Sequence, residues 1–214
     1  MLRKVTIFGE RCSGTNYLQK LLLKNFDIEL VWNYGWKHWP GHNSLENSDD
    51  VLFICIVRNP IDWLNSFWEK HHEVPKELLE NLDNFLNNEF WSIHPKGHEI
   101  IEDRNIYTKE RYKNIFEMRH IKNKFFIDDL PKKVKNYILI RYEDLLNDYE
   151  SILNRLKEKG LKTLEEYPIN ITKRVTPMQK EKEDFIVKKR NLITFKMIKD
   201  KIILDYERKL RYLN

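Results

Sequence analysis

Residues 51–57 read VLFICIV, seven apolar residues without a polar break. A strand open to water on one face alternates apolar and polar side chains; one covered on both faces does not, which is the pattern of parallel sheets. Two further runs, VTIF at 5–8 and YILIRY at 137–142, have the same character. Apolar residues at helical spacing follow each run. They are Leu18, Leu21, Leu22 and Phe26 after the first, and Trp63, Leu64 and Phe67 after the second. Leu145, Leu146, Tyr149, Ile152, Leu153 and Leu156 follow the third. Asp148 is suited to cap that last helix and Gly160 to end it. Strand–helix alternation predicts an α/β fold with a central, mainly parallel sheet flanked by helices, in one domain spanning 1–214.

Composition narrows the class. A chain of 214 residues with 41% hydrophobic and 13% aromatic residues can bury a substantial core. No apolar run reaches the ~20 residues of a membrane span, and MLRKVTIFGE at the start lacks the features of a signal peptide. Cys12 and Cys55 are the only cysteines, so a disulfide framework is not expected. The expectation is a soluble, cytoplasmic protein. The net charge of +5 permits an anionic ligand. The lysines are scattered rather than clustered, which argues against nucleic acid as a partner. Elsewhere, 75–90 and 106–122 read as helical with a turn at 94–98, 161–190 is charged and mixed, and a last helix is expected from Thr194 to Leu210.

Polar residues crowd the carboxyl end of each predicted strand, where open α/β sheets place their ligands. They read GERCSGTN at 9–16, RNPIDWLNS at 58–66 and RYEDL at 141–145. The first has the glycine spacing of a phosphate-binding loop, G-x-x-x-x-G-K-[ST], but Thr15 and Asn16 stand where the lysine and the magnesium ligand belong. Gly9 and Gly14 still allow a tight path with N–H groups turned toward an anion, and Ser13, Thr15 and Asn16 add side-chain donors. Such a cradle suits a donor whose transferred group carries less charge than a triphosphate tail.

At this point the chain resembles a known family. SGTNYL resembles the S-G-T-T-W-L of sulfotransferases that use 3′-phosphoadenosine 5′-phosphosulfate (PAPS), and VRNPIDWLNS resembles their V-R-N-P-x-D-x-x-x-S. RYEDLLND resembles R-Y-E-D-L-x-x-D, and YERKLRYL looks like E-x-x-L-G-Y with Arg211 in place of the glycine. The resemblance implies a P-loop NTPase-like three-layer fold, PAPS as co-substrate and no metal. It implies that loop residues Arg11, Cys12, Ser13, Gly14, Thr15 and Asn16 hold the 5′-phosphosulfate. Arg58 and Ser66, eight residues apart as in the family, would bind the 3′-phosphate.

Sulfuryl transfer to a hydroxyl needs a base. The family often carries a histidine in K-T-H-x-P after its second strand; here KHWP offers His38, with Glu10 as an alternative. The family's loop lysine falls on Cys12, so the cation that stabilises the leaving group is expected from Arg11 or Lys37. Trp32, Tyr34, Trp36 and Trp39 surround His38 and read equally as core or as a platform for a sugar or aromatic acceptor. His71, His72, His94 and His98 lack the spacing of a zinc site. The predicted activity is PAPS-dependent sulfuryl transfer to an acceptor hydroxyl, with a carbohydrate preferred over a small phenol or steroid. A P-loop kinase for nucleotides or small molecules, and a non-catalytic anion-binding module, are the alternatives.

Overall fold

The computed structural model describes residues 1–171, 173–174, 183–184 and 192–213. It is an α/β fold with a four-stranded, all-parallel sheet flanked by helices. The strands are β1 (Lys4–Phe8), β2 (Glu29–Leu30), β3 (Val51–Val57) and β4 (Asn136–Arg141), in the order β2-β1-β3-β4. From β1 the chain passes through α1 (Thr15–Asn25) to β2 on one side, then returns to β3 on the other. The direction of winding therefore reverses between β1 and β3, and the crevice beyond their carboxyl ends is the place such a sheet offers to a ligand.

The unbroken run at 51–57 became β3, one of the two interior strands, with all seven residues buried. Its side chains alternate between two cores. Leu52, Ile54 and Ile56 pack with α1 and with α7 (Tyr149–Glu158). Val51, Phe53, Cys55 and Val57 pack against Phe125, Phe126 and Leu130 on the other face. Each such side chain contributes roughly 1.5–3 kcal/mol of transfer free energy. A third cluster joins Trp63, Leu64 and Phe67 of α2 (Pro60–Lys70) to α3 (Leu82–Asn87) and α4 (Ile115–Lys124). YILIRY differs from its expectation. β4 is an edge strand, where Ile138 and Ile140 are buried while Tyr137, Leu139 and Arg141 stay partly exposed.

Caps explain several helix starts. Asn59 accepts from the Ile61 N–H at 3.0 Å and Asp62 N–H at 3.4 Å, with Pro60 in the first turn of α2. Asn114 does the same for α4. Asp148 accepts from the Ser151 N–H at 2.9 Å to start α7, and Gly160, at φ 100°, follows its end.

Three sequence expectations need correction. The stretch 75–90 is a 3-10 turn (Lys76–Leu79) followed by α3, and 106–114 is loop ahead of α4. Asn81 and Asn114 bind helix-start N–H groups and so set those boundaries late. The expected last helix divides into α8 (Phe195–Ile198) and α9 (Leu204–Lys209). Between α4 and β4 lie a π-helical turn (Phe125–Asp129) and α5 (Leu130–Lys133); α6 (Tyr142–Asn147) follows β4. The turn expected at 94–98 is present, closed by the His94 N–H on the His98 carbonyl at 2.8 Å. A short antiparallel pair, β5 (Lys173–Arg174) with β6 (Glu183–Asp184), falls in the mixed region, most of whose residues from 172 to 190 lie outside the described residues.

Candidate active site

The loop after β1 is held in one path by sterics. A Cβ on Gly9 would lie 2.6 Å from the Ile56 carbonyl oxygen and 2.9 Å from the Thr15 methyl, so no larger residue fits against β3. Cys12 at φ 63° and Gly14 at φ 95° are both left-handed, and a Cβ on Gly14 would strike the Tyr142 ring at 2.3 Å. Helix α1 then begins on Gly14 with no side-chain cap and no acidic residue in its first turn. An uncapped helix start leaves N–H groups and the positive end of the dipole for an anion.

That start opens on a cavity of about 500 Å³. Gly14, Thr15 and Asn16 line it from α1, and Arg58 and Ser66 line it from beyond β3, so the two predicted phosphate-binding segments share one space. Arg58 donates from Nη1 to the Cys12 carbonyl at 2.9 Å, and its guanidinium lies over the Tyr142 ring at 4.8 Å. Its Nε is buried and has no partner among the described residues, an orphaned donor that an anionic ligand would satisfy. Lys20 of α1 and Lys70 of α2 also line the wall. Helix α2 braces the loop from behind: Trp63 Nε1 donates to the Arg11 carbonyl at 2.8 Å, and Cys12 Sγ approaches the Ser66 carbonyl at 3.5 Å. Ser13, expected as a donor, is buried and does not line the cavity; its N–H closes a turn on the Glu10 carbonyl at 3.0 Å.

The KHWP segment reaches the loop by pairing with Gly9. The Gly9 N–H donates to the Lys37 carbonyl at 2.9 Å, and the His38 ring sits with Nδ1 2.7 Å from the Gly9 carbonyl. A carbonyl only accepts, so Nδ1 carries the proton and Nε2 keeps the lone pair. Burial pushes the His38 imidazolium well below its usual range, against the opposing pull of Glu10 and the Gly9 carbonyl. His38 lines the cavity as a neutral ring. The Lys37 ammonium bonds Asn16 Oδ1 at 2.6 Å, and burial lowers its pKa. Trp36, 43% exposed, also lines the cavity. Tyr34 instead packs on Phe53 and bonds the Asn47 carbonyl.

Arg11 and Glu10 take a different part. Both are buried in an ion cluster with Asp103 and Lys122. Arg11 donates to Glu10 at 2.9 Å and to Asp103 at 2.8 Å, and its guanidinium stacks on Phe67 at 4.8 Å. Lys122 bonds both Glu10 and Asp103, and donates to the His38 carbonyl at 3.0 Å. Ser92 Oγ–H completes the Asp103 carboxylate. Burial alone would raise the Glu10 pKa, but Lys122 and Arg11 outweigh it and hold it at about 2. Glu10 is thereby a fixed anion whose oxygens are held by Arg11 and Lys122 away from the cavity, while the half-buried Glu73 at φ 61° lines it.

Lys122, Asp103, Tyr142 and Glu73 were not singled out in the sequence. Asp103 and Lys122 have no local motif; Tyr142 lay inside RYEDL, quoted for its position and its resemblance, with no role given to the ring. Among the described residues no group of three or more metal-ligating side chains converges. Comparison of the chain with protein-family models gave no match, and comparison with curated proteins gave none either.

Proposed function

We propose that the chain is a sulfotransferase with a P-loop-like fold, moving a sulfuryl group from PAPS to an acceptor hydroxyl. The observation that carries this reading is the convergence on one cavity of an uncapped, lysine-free phosphate loop, Arg58 with its orphaned Nε, Ser66 and a neutral His38. The nucleotide supplies the activated sulfuryl group. Gly14, Thr15 and Asn16 cradle its 5′-phosphosulfate, and Arg58 with Ser66 takes the 3′-phosphate. His38 Nε2 accepts the acceptor's proton as the new O–S bond forms and the bridging S–O bond to the phosphate breaks. A bound anion nearby favours the imidazolium, raising the basicity that burial lowers. Lys37, anchored on Asn16, is the cation for the charge that develops on the leaving phosphate, because Arg11 is committed to Glu10 and Asp103. Trp36 offers a flat apolar face to the acceptor, consistent with a sugar ring.

Thermal unfolding with adenosine 3′,5′-bisphosphate, against ATP–Mg²⁺ at matched concentration, tests the reading. A ligand that binds only the folded state at 100 times its Kd stabilises it by about 2.7 kcal/mol. The bisphosphate should give the larger shift. A shift with ATP–Mg²⁺ alone would favour a kinase, and no shift with either would remove the nucleotide site.

A further inference from the structure

The carbonyl of Arg58 and the N–H of Asn59 belong to one peptide group, and charged side chains hold it from both edges. Arg119 Nη2 donates to the Arg58 carbonyl at 2.8 Å, and Glu143 Oε1 accepts from the Asn59 N–H at 2.8 Å. Each of these residues is in turn fixed by the segment that begins with α9. Glu207, 1% exposed, accepts from Arg119 at 2.6 and 2.8 Å in a two-pronged pair. The Tyr212 hydroxyl donates to Glu143 Oε2 at 2.8 Å, under the Arg141 guanidinium at 4.7 Å. Arg119 also lies over the Trp63 ring at 5.0 Å, which ties the clamp to α2.

We infer that Arg119, Glu143, Glu207 and Tyr212 form a clamp of positioning residues whose task is to aim the Arg58 side chain at the 3′-phosphate. A planar peptide has no internal freedom. With β3 ending at Val57 on one side and the held peptide on the other, the Arg58 Cα–Cβ direction is set. Fixing a planar, forked donor before the ligand arrives spares the ordering cost that binding would otherwise carry. Four segments far apart in sequence thus meet around one bond: RNP at 58–60, Arg119 in α4, RYED at 141–144 and the residues from Glu207 to Tyr212. The inference rests on the functional reading above, and it adds that the segment 207–212 contributes to nucleotide selectivity without touching the nucleotide.

The readout is the ratio of affinities for adenosine 3′,5′-bisphosphate and adenosine 5′-monophosphate, which isolates the 3′-phosphate. Tyr212→Phe should lower this ratio about three- to tenfold, the effect of one hydrogen bond. Arg119→Lys, which cannot grip both Glu207 and the Arg58 carbonyl, should lower it by about tenfold or more. Arg58→Ala should bring it close to one. Lys209→Ala, at a residue of α9 that pairs with Asp128 and lies over the Tyr206 ring, outside the clamp, should leave it unchanged. If Tyr212→Phe and Arg119→Lys unfold at lower temperature yet keep the wild-type ratio, the clamp is merely structural and the inference is overturned. A wild-type ratio near one would overturn the Arg58 assignment itself, and the clamp with it.

Discussion

Arg11 and Arg58 stand at the ends of neighbouring parallel strands and both touch the same cavity, yet their guanidinium groups are in opposite states. Arg11 is 3% exposed and bonded to two carboxylates, Glu10 and Asp103. Arg58 has a carbonyl, an aromatic face and an Nε without a partner among the described residues. The difference separates charge that holds the site from charge that faces a ligand. A buried ion cluster with satisfied partners fixes geometry, and breaking it leaves an uncompensated charge in a poor solvent. A buried donor left unsatisfied costs free energy in the ligand-free protein, and a ligand returns it.

Asp103→Ala is the sharpest way to break the first half of this contrast. It leaves Lys122 with Glu10, and Arg11 with Glu10 and the more distant Glu73 at 3.9 Å, so unfolding in urea should show a loss of about 3–5 kcal/mol. A loss under about 1 kcal/mol would mean the cluster is open to water. On the ligand side, His38→Ala should lower turnover by about 10²–10⁴-fold, the range for a general base, with little change in bisphosphate affinity. Steady-state rates with an identified acceptor decide this, and a near-normal rate rules His38 out. Lys37→Ala should slow single-turnover sulfuryl transfer by about 100-fold, matching the loss of one donor to a developing anion. If Lys37→Ala transfers at the wild-type rate, the cation comes instead from the cavity wall, where Lys20 and Lys70 stand.

Acidification probes both halves at once. His38, His42, His72 and His120 are all pushed below the ordinary histidine range, with burial the largest cause. The unfolded chain therefore binds protons first as pH falls through about 6.5, and stability should decline from there downward. Glu10, held at about 2, contributes stability that is complete above its unfolded value near 4.3 and is lost as pH falls from there toward 2. Melting temperature should thus fall between pH 7 and 5 and fall further below pH 4. A flat profile from pH 7 to 5 would place the histidines in water. The smallest effect concerns Arg211, a non-glycine residue at φ 59° where the related sequence pattern has glycine. Arg211→Gly should raise stability by up to about 1 kcal/mol in the same urea assay, by relieving left-handed strain.

The local sequence determined what depends on neighbours along the chain. Continuous apolar runs at 5–8 and 51–57 became strands covered on both faces, and Asn59, Asp148 and Gly160 bound helices where capping chemistry expects them. The polar clusters after β1 and β3 held Gly14, Thr15, Asn16, Arg58 and Ser66, while the pairing of Arg58 with Ser66 and the choice of His38 came from the resemblance; all six line one cavity. Tertiary structure alone decided which charges would be spent inside. Arg11 meets Asp103 across 92 residues and Glu10 meets Lys122 across 112, contacts that no local pattern announces. It also decided that Glu207 and Tyr212 would hold the peptide beside Arg58. A side chain's type fixes what it can donate or accept, but burial and partner fix whether it does so, and both are properties of residues brought together by the fold.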